Sequence, residues 1–253
     1  MSHSITCLNC DEPVSKKFCP NCGQKTDTHR ITFKHFITHD VLHGVWHIER
    51  GILFTLKETF TRPGQAAIDY IKGKRIKYYN VFYLILLFIG LGIFIEHLYN
   101  NAILKYVSYI PREPQPISES VILEFIGKYI KFFITLAIPI YSFISYILFN
   151  KKKLNYSEHL IIFGMIYLGI IIITIVGNIM YFAEFIKPIA FLSEFSDYFV
   201  PITVLLYVIH GFYGAFGKDY KLLNFSLRLL LFIILVLISL KALGKIVKFF
   251  LIN

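Results

Sequence analysis

The sequence predicts an all-α integral membrane protein: about five transmembrane helices, preceded by a small cysteine-bearing head and by interfacial amphipathic helices. Three observations carry this. Hydrophobic residues make up 56% of the 253 positions, and the mean hydropathy is +0.60. That excess is gathered in discrete blocks, the pattern of membrane spans and not of one soluble core. All four cysteines fall within the first 22 residues as two Cys-x-x-Cys pairs, the signature of a small metal-built module. Lys and Arg collect outside alternate apolar blocks, as they do on the cytoplasmic side of membrane proteins.

The head spans residues 1–30. Cys7, Cys10, Cys19 and Cys22 are spaced so that both thiolates of each pair can reach one ion. Four thiolates complete a tetrahedron and leave no position for water, so the expected ion is one structural zinc and the module a zinc ribbon. A head this small has almost no core, and metal binding must supply most of its folding energy. The alternatives are two disulfides or a redox pair, and a reducing cytosol disfavours both. Lys16, Lys17 and Lys25 are offset by Asp11, Glu12 and Asp27, so nucleic acid is not an expected partner. An unidentified cytosolic protein is.

Residues 31–79 read as amphipathic, interfacial helices with a basic collar. "HFITHDVLHGVWH" sets His35, His39, His43 and His47 at steps of four, one helical face. Two readings stay open: a helix lying on the membrane with histidines at its polar boundary, or a second metal or acid/base site at His43 and His47. In "TRPGQAAIDYIKGKRIKYYN", Pro63 and Gly64 end one helix and Gly73 ends the next. Lys74, Arg75 and Lys77 then form a collar before the first span, with Tyr78 and Tyr79 as interface anchors. Arg62, Lys74 and Arg75 are the candidates for holding lipid phosphate, and anionic membrane lipids are the expected partners.

The membrane bundle occupies 80–253, with spans at about 80–97, 132–149, 159–183, 198–217 and 225–244. The fifth is the weakest. Only 12 residues separate Arg228 from Lys241, and the helix crosses only if both charges snorkel. Basic loops alternate with non-basic ones, which places the N-terminus in the cytoplasm and, for five crossings, the C-terminus outside. The N-terminus is polar and the first long apolar stretch begins near Val81, so no cleavable signal peptide is expected. Among polar residues near the membrane, Glu158 and His159 stand at the start of the third span. As candidate catalytic groups they join His43 and His47. The competing reading of Glu158 is a helix N-terminal carboxylate favoured by the macrodipole.

Several stretches taken together resemble an uncharacterised bacterial family of multi-spanning membrane proteins that carries a domain of unknown function. They are the head ending in "CPNCGQK", "RITFKH", "GILFTLKETFTRPG", "YIKGKRIKYYN" before the first span, and "YSEHLIIF". The chain departs from the pattern at Asn80, where proline is expected. The resemblance implies the bacterial cytoplasmic membrane and supplies no activity.

No phosphate-cradling glycine loop, Ser-centred elbow or His-Glu-x-x-His stands in the chain. The expected function is therefore a non-enzymatic membrane scaffold or partner-binding protein with a cytosolic zinc head. The alternative is a lipid-handling protein, a transporter or headgroup enzyme using a His/Glu/Arg cluster on the cytoplasmic face. A five-span chain has little room for an aqueous path, so transport would require a homo-oligomer.

Overall fold

A computed structural model describes residues 5–26, 51–106 and 138–252. The histidine ladder, His43 and His47 included, lies outside the described residues, as do residues 132–137 of the second expected span.

The head is a pair of two-residue antiparallel strands, β1 (Ile5–Thr6) and β2 (Pro13–Val14), with Cys7, Val14 and Cys19 buried at its centre. The rest is helical: α1 (Ile52–Thr61), α2 (Pro63–Ile71), α3 (Val81–Tyr106), α4 (Ile138–Leu148), α5 (Tyr156–Met180), α6 (Phe191–Phe216) and α7 (Leu222–Ile252). Among the described residues, four segments are long and apolar enough to cross a membrane: Val81–Lys105, Tyr156–Phe185, Lys187–Asp219 and Leu222–Ala242. The fifth expected span is among them, and its helix runs on without a break through Arg228 and Lys241.

Helix α5 is the axis of the bundle. Its first half carries apolar residues on every side, and a helix apolar all round is stable only when other helices cover it. Leu160, Ile161, Ile162, Phe163, Met165, Ile166 and Leu168 are all buried. Helix α3 runs parallel to α5: a Cβ on Gly164 would meet Phe82 and one on Gly92 would meet Ile175, while the Tyr99 hydroxyl donates to Glu184 at 2.8 Å. Helix α6 is antiparallel to α5, with Ser196 Oγ donating to the Gly177 carbonyl near one end and His159 stacked on Phe216 at the other. Helix α4 closes the remaining side, where Tyr141 meets Phe163 and Phe149 lies among Phe212, Phe216 and Phe225. The outward faces of α3, α6 and α7 expose Leu86, Leu87, Phe94, Ile202, Leu206, Leu230 and Leu237. A belt of that kind is what lipid-facing helices present.

Helix α2 buries its small apolar face against protein, whereas α1 buries the polar Thr55, Glu58 and Thr59 and leaves Leu53 and Phe60 exposed. Ala66, Ala67 and Ile68 of α2 are buried in the bundle, and so are Thr55 and Thr59 of α1. The two helices form a hairpin set into the bundle beside α5 and α6. Its tip is fixed by Tyr207, whose hydroxyl donates to the Thr59 carbonyl at 2.6 Å, and by Thr59 Oγ1 facing Met165 Sδ at 3.8 Å. Met165 stands nine residues from the start of α5 and Tyr207 nine from the end of α6. The tip therefore reaches about 14 Å along both helices. Gly64 makes this possible: a Cβ there would collide with the Gly211 carbonyl oxygen and the Ala215 nitrogen. Gly211 and Gly214 are where α2 approaches α6.

Candidate functional site: a four-thiol head docked on an inserted helical hairpin

The four cysteines come together through two turns of the same kind. In each, the backbone N–H of the residue four past the first cysteine donates to that cysteine's carbonyl: Asp11 to Cys7 at 2.9 Å and Gly23 to Cys19 at 2.8 Å. All four Sγ atoms lie within 4.8 Å of one another, with Cys7 and Cys22 3.6 Å apart and Cys10 and Cys19 3.5 Å apart. Burial opposes ionisation of Cys22, yet hydrogen bonds from the Gln24 backbone and from Asn9 bring its thiol down to about 7. The Glu12 backbone would lower Cys10, but burial and the other three sulfurs push it up to about 12. Four sulfurs this close cannot all become thiolates unless a cation offsets their charge. The donor set thus fits a metal ion of soft, tetrahedral preference.

The head is fastened to the rest of the chain by Gln24, which is buried although polar. Its side-chain amide donates to the Gly73 carbonyl. Its Oε1 accepts from the backbone N–H groups of Arg75 at 3.1 Å and Ile76 at 3.2 Å. Gly73 adopts φ +102° and has Leu8 of the head packed where a Cβ would stand, so only glycine suits the position. The two motifs "CPNCGQK" and "YIKGKRIKYYN" are therefore the two sides of one contact. Sequence reasoning missed Gln24: a glutamine after a knuckle carries no sign of a partner 49 residues away.

The candidate lipid-phosphate residues divide. Arg62, at the hairpin tip, is engaged by two carboxylates: an ion pair with Glu58 and another with Asp69 at 2.9 Å. Gln65 adds a donor to Asp69 at 3.4 Å. Tyr78 reaches back from the collar and donates to Glu58 at 3.4 Å. Burial, and after it the Glu58 carboxylate, holds the Tyr78 hydroxyl above its ordinary range, so it stays a donor. Tyr78 also meets Phe54 and Tyr70 edge to face. Arg75 lies over the Tyr70 ring at 5.5 Å and donates through Nε to the Tyr70 carbonyl at 3.2 Å. Lys74 is exposed on the same loop. Glu58 and Asp69 went unremarked in the sequence because each looks like an ordinary polar position of a short helix.

Glu158 and His159 stand apart, at the first turn of α5. Glu158 completes a capping box, its backbone N–H donating to Asn155 Oδ1 at 2.9 Å and its carboxylate accepting from the Asn155 N–H at 2.7 Å. This is the helix-terminal use of the carboxylate. His159 is fully buried. Its Nδ1 meets Ser145 Oγ at 2.9 Å and its ring lies between Phe216 and Tyr146. Its Nε2 has no hydrogen-bond partner among the described residues.

Over residues 49–91, which cover the hairpin, the collar and the first part of α3, the chain matches the family model described as "Protein of unknown function (DUF3667)". No curated protein and no solved structure matches it.

Proposed function

We propose that this chain is a non-enzymatic scaffold of the bacterial cytoplasmic membrane, whose head closes around one structural zinc ion on the cytosolic side. The observation that supports this reading is the fate of the groups that might have done chemistry. Glu58 and Asp69 both pair with Arg62, Glu158 caps α5, and His159 is sealed between aromatic rings. Each is used to hold the fold. The orientation follows from charge. Lys72, Lys74, Arg75, Lys77, Lys151, Lys152 and Lys218 gather where α6 ends, while Glu184, Glu194 and Asp197 stand at the opposite end, and basic residues remain in the cytoplasm. Zinc suits four thiolates in a reducing compartment.

Elemental analysis of the purified chain should give one zinc per chain. A second metal lost in His43→Ala and His47→Ala would replace this reading with an enzymatic one. Labelling with a membrane-impermeant maleimide after chelation should leave Cys7 and Cys22 unmodified in intact cells. The runner-up, a lipid-handling protein, draws on Arg62, which keeps 44% of its side chain exposed on a hairpin set into the bundle. A change in lipid transport or headgroup turnover on Arg62→Met, with the fold intact, would favour it.

A further inference from the structure

We infer that the collar is a preformed binding site for the phosphate of an anionic phospholipid, built from Lys72, Lys74 and Lys77 and held in shape by the head. The inference deepens the scaffold reading and rests on its metal-closed head.

Cations at this end of the bundle fall into two kinds. Lys152 bridges to Asp219 at 3.0 Å and donates to the Ala215 carbonyl. Arg228 donates to the Leu148 carbonyl, and Lys151 to the Asp219 carbonyl at 3.1 Å. Those charges are committed to the ends of α4 and α6. Lys72, Lys74 and Lys77 are exposed, and their side chains make no ion pair or hydrogen bond among the described residues. Glu58 and Asp69, on the two helices that precede this loop, both pair with Arg62.

The loop bearing these lysines is ordered by its backbone and by the Arg75 side chain, not by the lysine side chains. Gln24 holds three of its polar groups. Lys74 N–H donates to the Asp69 carbonyl at 3.0 Å, and Tyr78 N–H to the Arg75 carbonyl at 3.0 Å. A fixed loop with free side chains binds an anion without the cost of ordering the backbone. A second observation points to lipid and not to a free anion. Ile76 stands 44% exposed between Lys74 and Lys77, five residues before a membrane span begins at Val81. An apolar residue flanked by cations at that depth suits the boundary between headgroup and acyl chain.

The test titrates the full chain in detergent with dioctanoyl phosphatidylglycerol, followed by thermophoresis, with dioctanoyl phosphatidylcholine and inorganic phosphate as separate arms. Phosphatidylglycerol should bind, and the triple variant K72A/K74A/K77A should bind it at least about tenfold more weakly. K218A/K221A, which removes two exposed cations at the same end, should bind as the parent does. Gln24→Ala should keep its metal and still weaken binding several-fold. K72R/K74R/K77R should restore it. Equal losses in the collar and the 218/221 variants would reduce the site to a diffuse basic surface and overturn the inference. Inorganic phosphate or phosphatidylcholine binding as tightly would overturn the lipid assignment. Unchanged binding in Gln24→Ala would overturn the head's part in it. A chain found without metal would sink the scaffold reading by elemental analysis alone, while the lysine arms still report on the collar.

Discussion

Lys151, Lys152 and Arg228 stand at the same end of the bundle as Lys72, Lys74 and Lys77, and in the sequence both sets are cations beside an apolar block. Their uses differ. The first set lies where two helix ends meet, and carbonyls left unpaired at the ends of α4 and α6 take them up. Tyr220 sits between Lys151 and Arg228, 4.8 Å and 5.0 Å from its ring, and its hydroxyl accepts the Lys151 backbone N–H at 3.0 Å. The second set lies on a loop whose backbone groups are satisfied by Gln24, which leaves the side chains nothing to do inside the fold. A basic cluster in a membrane protein is therefore not one kind of feature. What separates structural from available charge is whether unpaired carbonyls lie within reach.

The comparison can be broken in several places, and the largest effect is expected at the head. Cys19→Ser should remove the metal and with it the folding energy of the ribbon. Gln24 would then leave the collar, and limited trypsin digestion should cut the chain near Lys72 and Lys74 where the parent resists. Resistance unchanged would mean that the collar does not need the head. Gly64→Leu should come next, because the side chain has only the Gly211 backbone to enter. Overpacking of this kind costs about 1–3 kcal/mol or more, read as a lowered midpoint of thermal unfolding in detergent. Arg228→Leu strips a charged donor from the Leu148 carbonyl and should cost about 1–3 kcal/mol by the same assay. Gln24→Ala removes the acceptor of the Ile76 N–H and leaves the Arg75 N–H and the Gly73 carbonyl only each other. It should destabilise by about 1–2 kcal/mol with metal content unchanged. The smallest effect belongs to Lys72→Ala, Lys74→Ala and Lys77→Ala, each within about 0.5 kcal/mol of the parent. If those lysines proved as costly as Arg228, the division between the two sets would fail.

Short-range features were legible from the chain alone. The spacing of Cys7, Cys10, Cys19 and Cys22 specifies a four-thiol cluster because each pair closes over two intervening residues. The apolar runs specify spans because a helix must keep every backbone group satisfied in lipid. Pro63 and Gly73 punctuate the hairpin helices where local backbone preference requires it. Even Arg228 inside the last run did not stop a continuous helix, since its guanidinium turns to the Leu148 carbonyl and need not face the lipid.

What only the tertiary structure decided are the long-range contacts: Gln24 on Gly73, Gly64 on Gly211, and Arg62 between Glu58 and Asp69. The physical reason is the same in each case. A contact between residues far apart in the chain leaves no periodicity and no fixed spacing to read. A glutamine, a glycine or a carboxylate that serves one looks like any other of its kind. The sequence by itself determined that there is a head, a collar and a bundle. The fold determined that the head's partner includes the collar of its own chain, and which of the many cations at that end have no side-chain partner among the described residues.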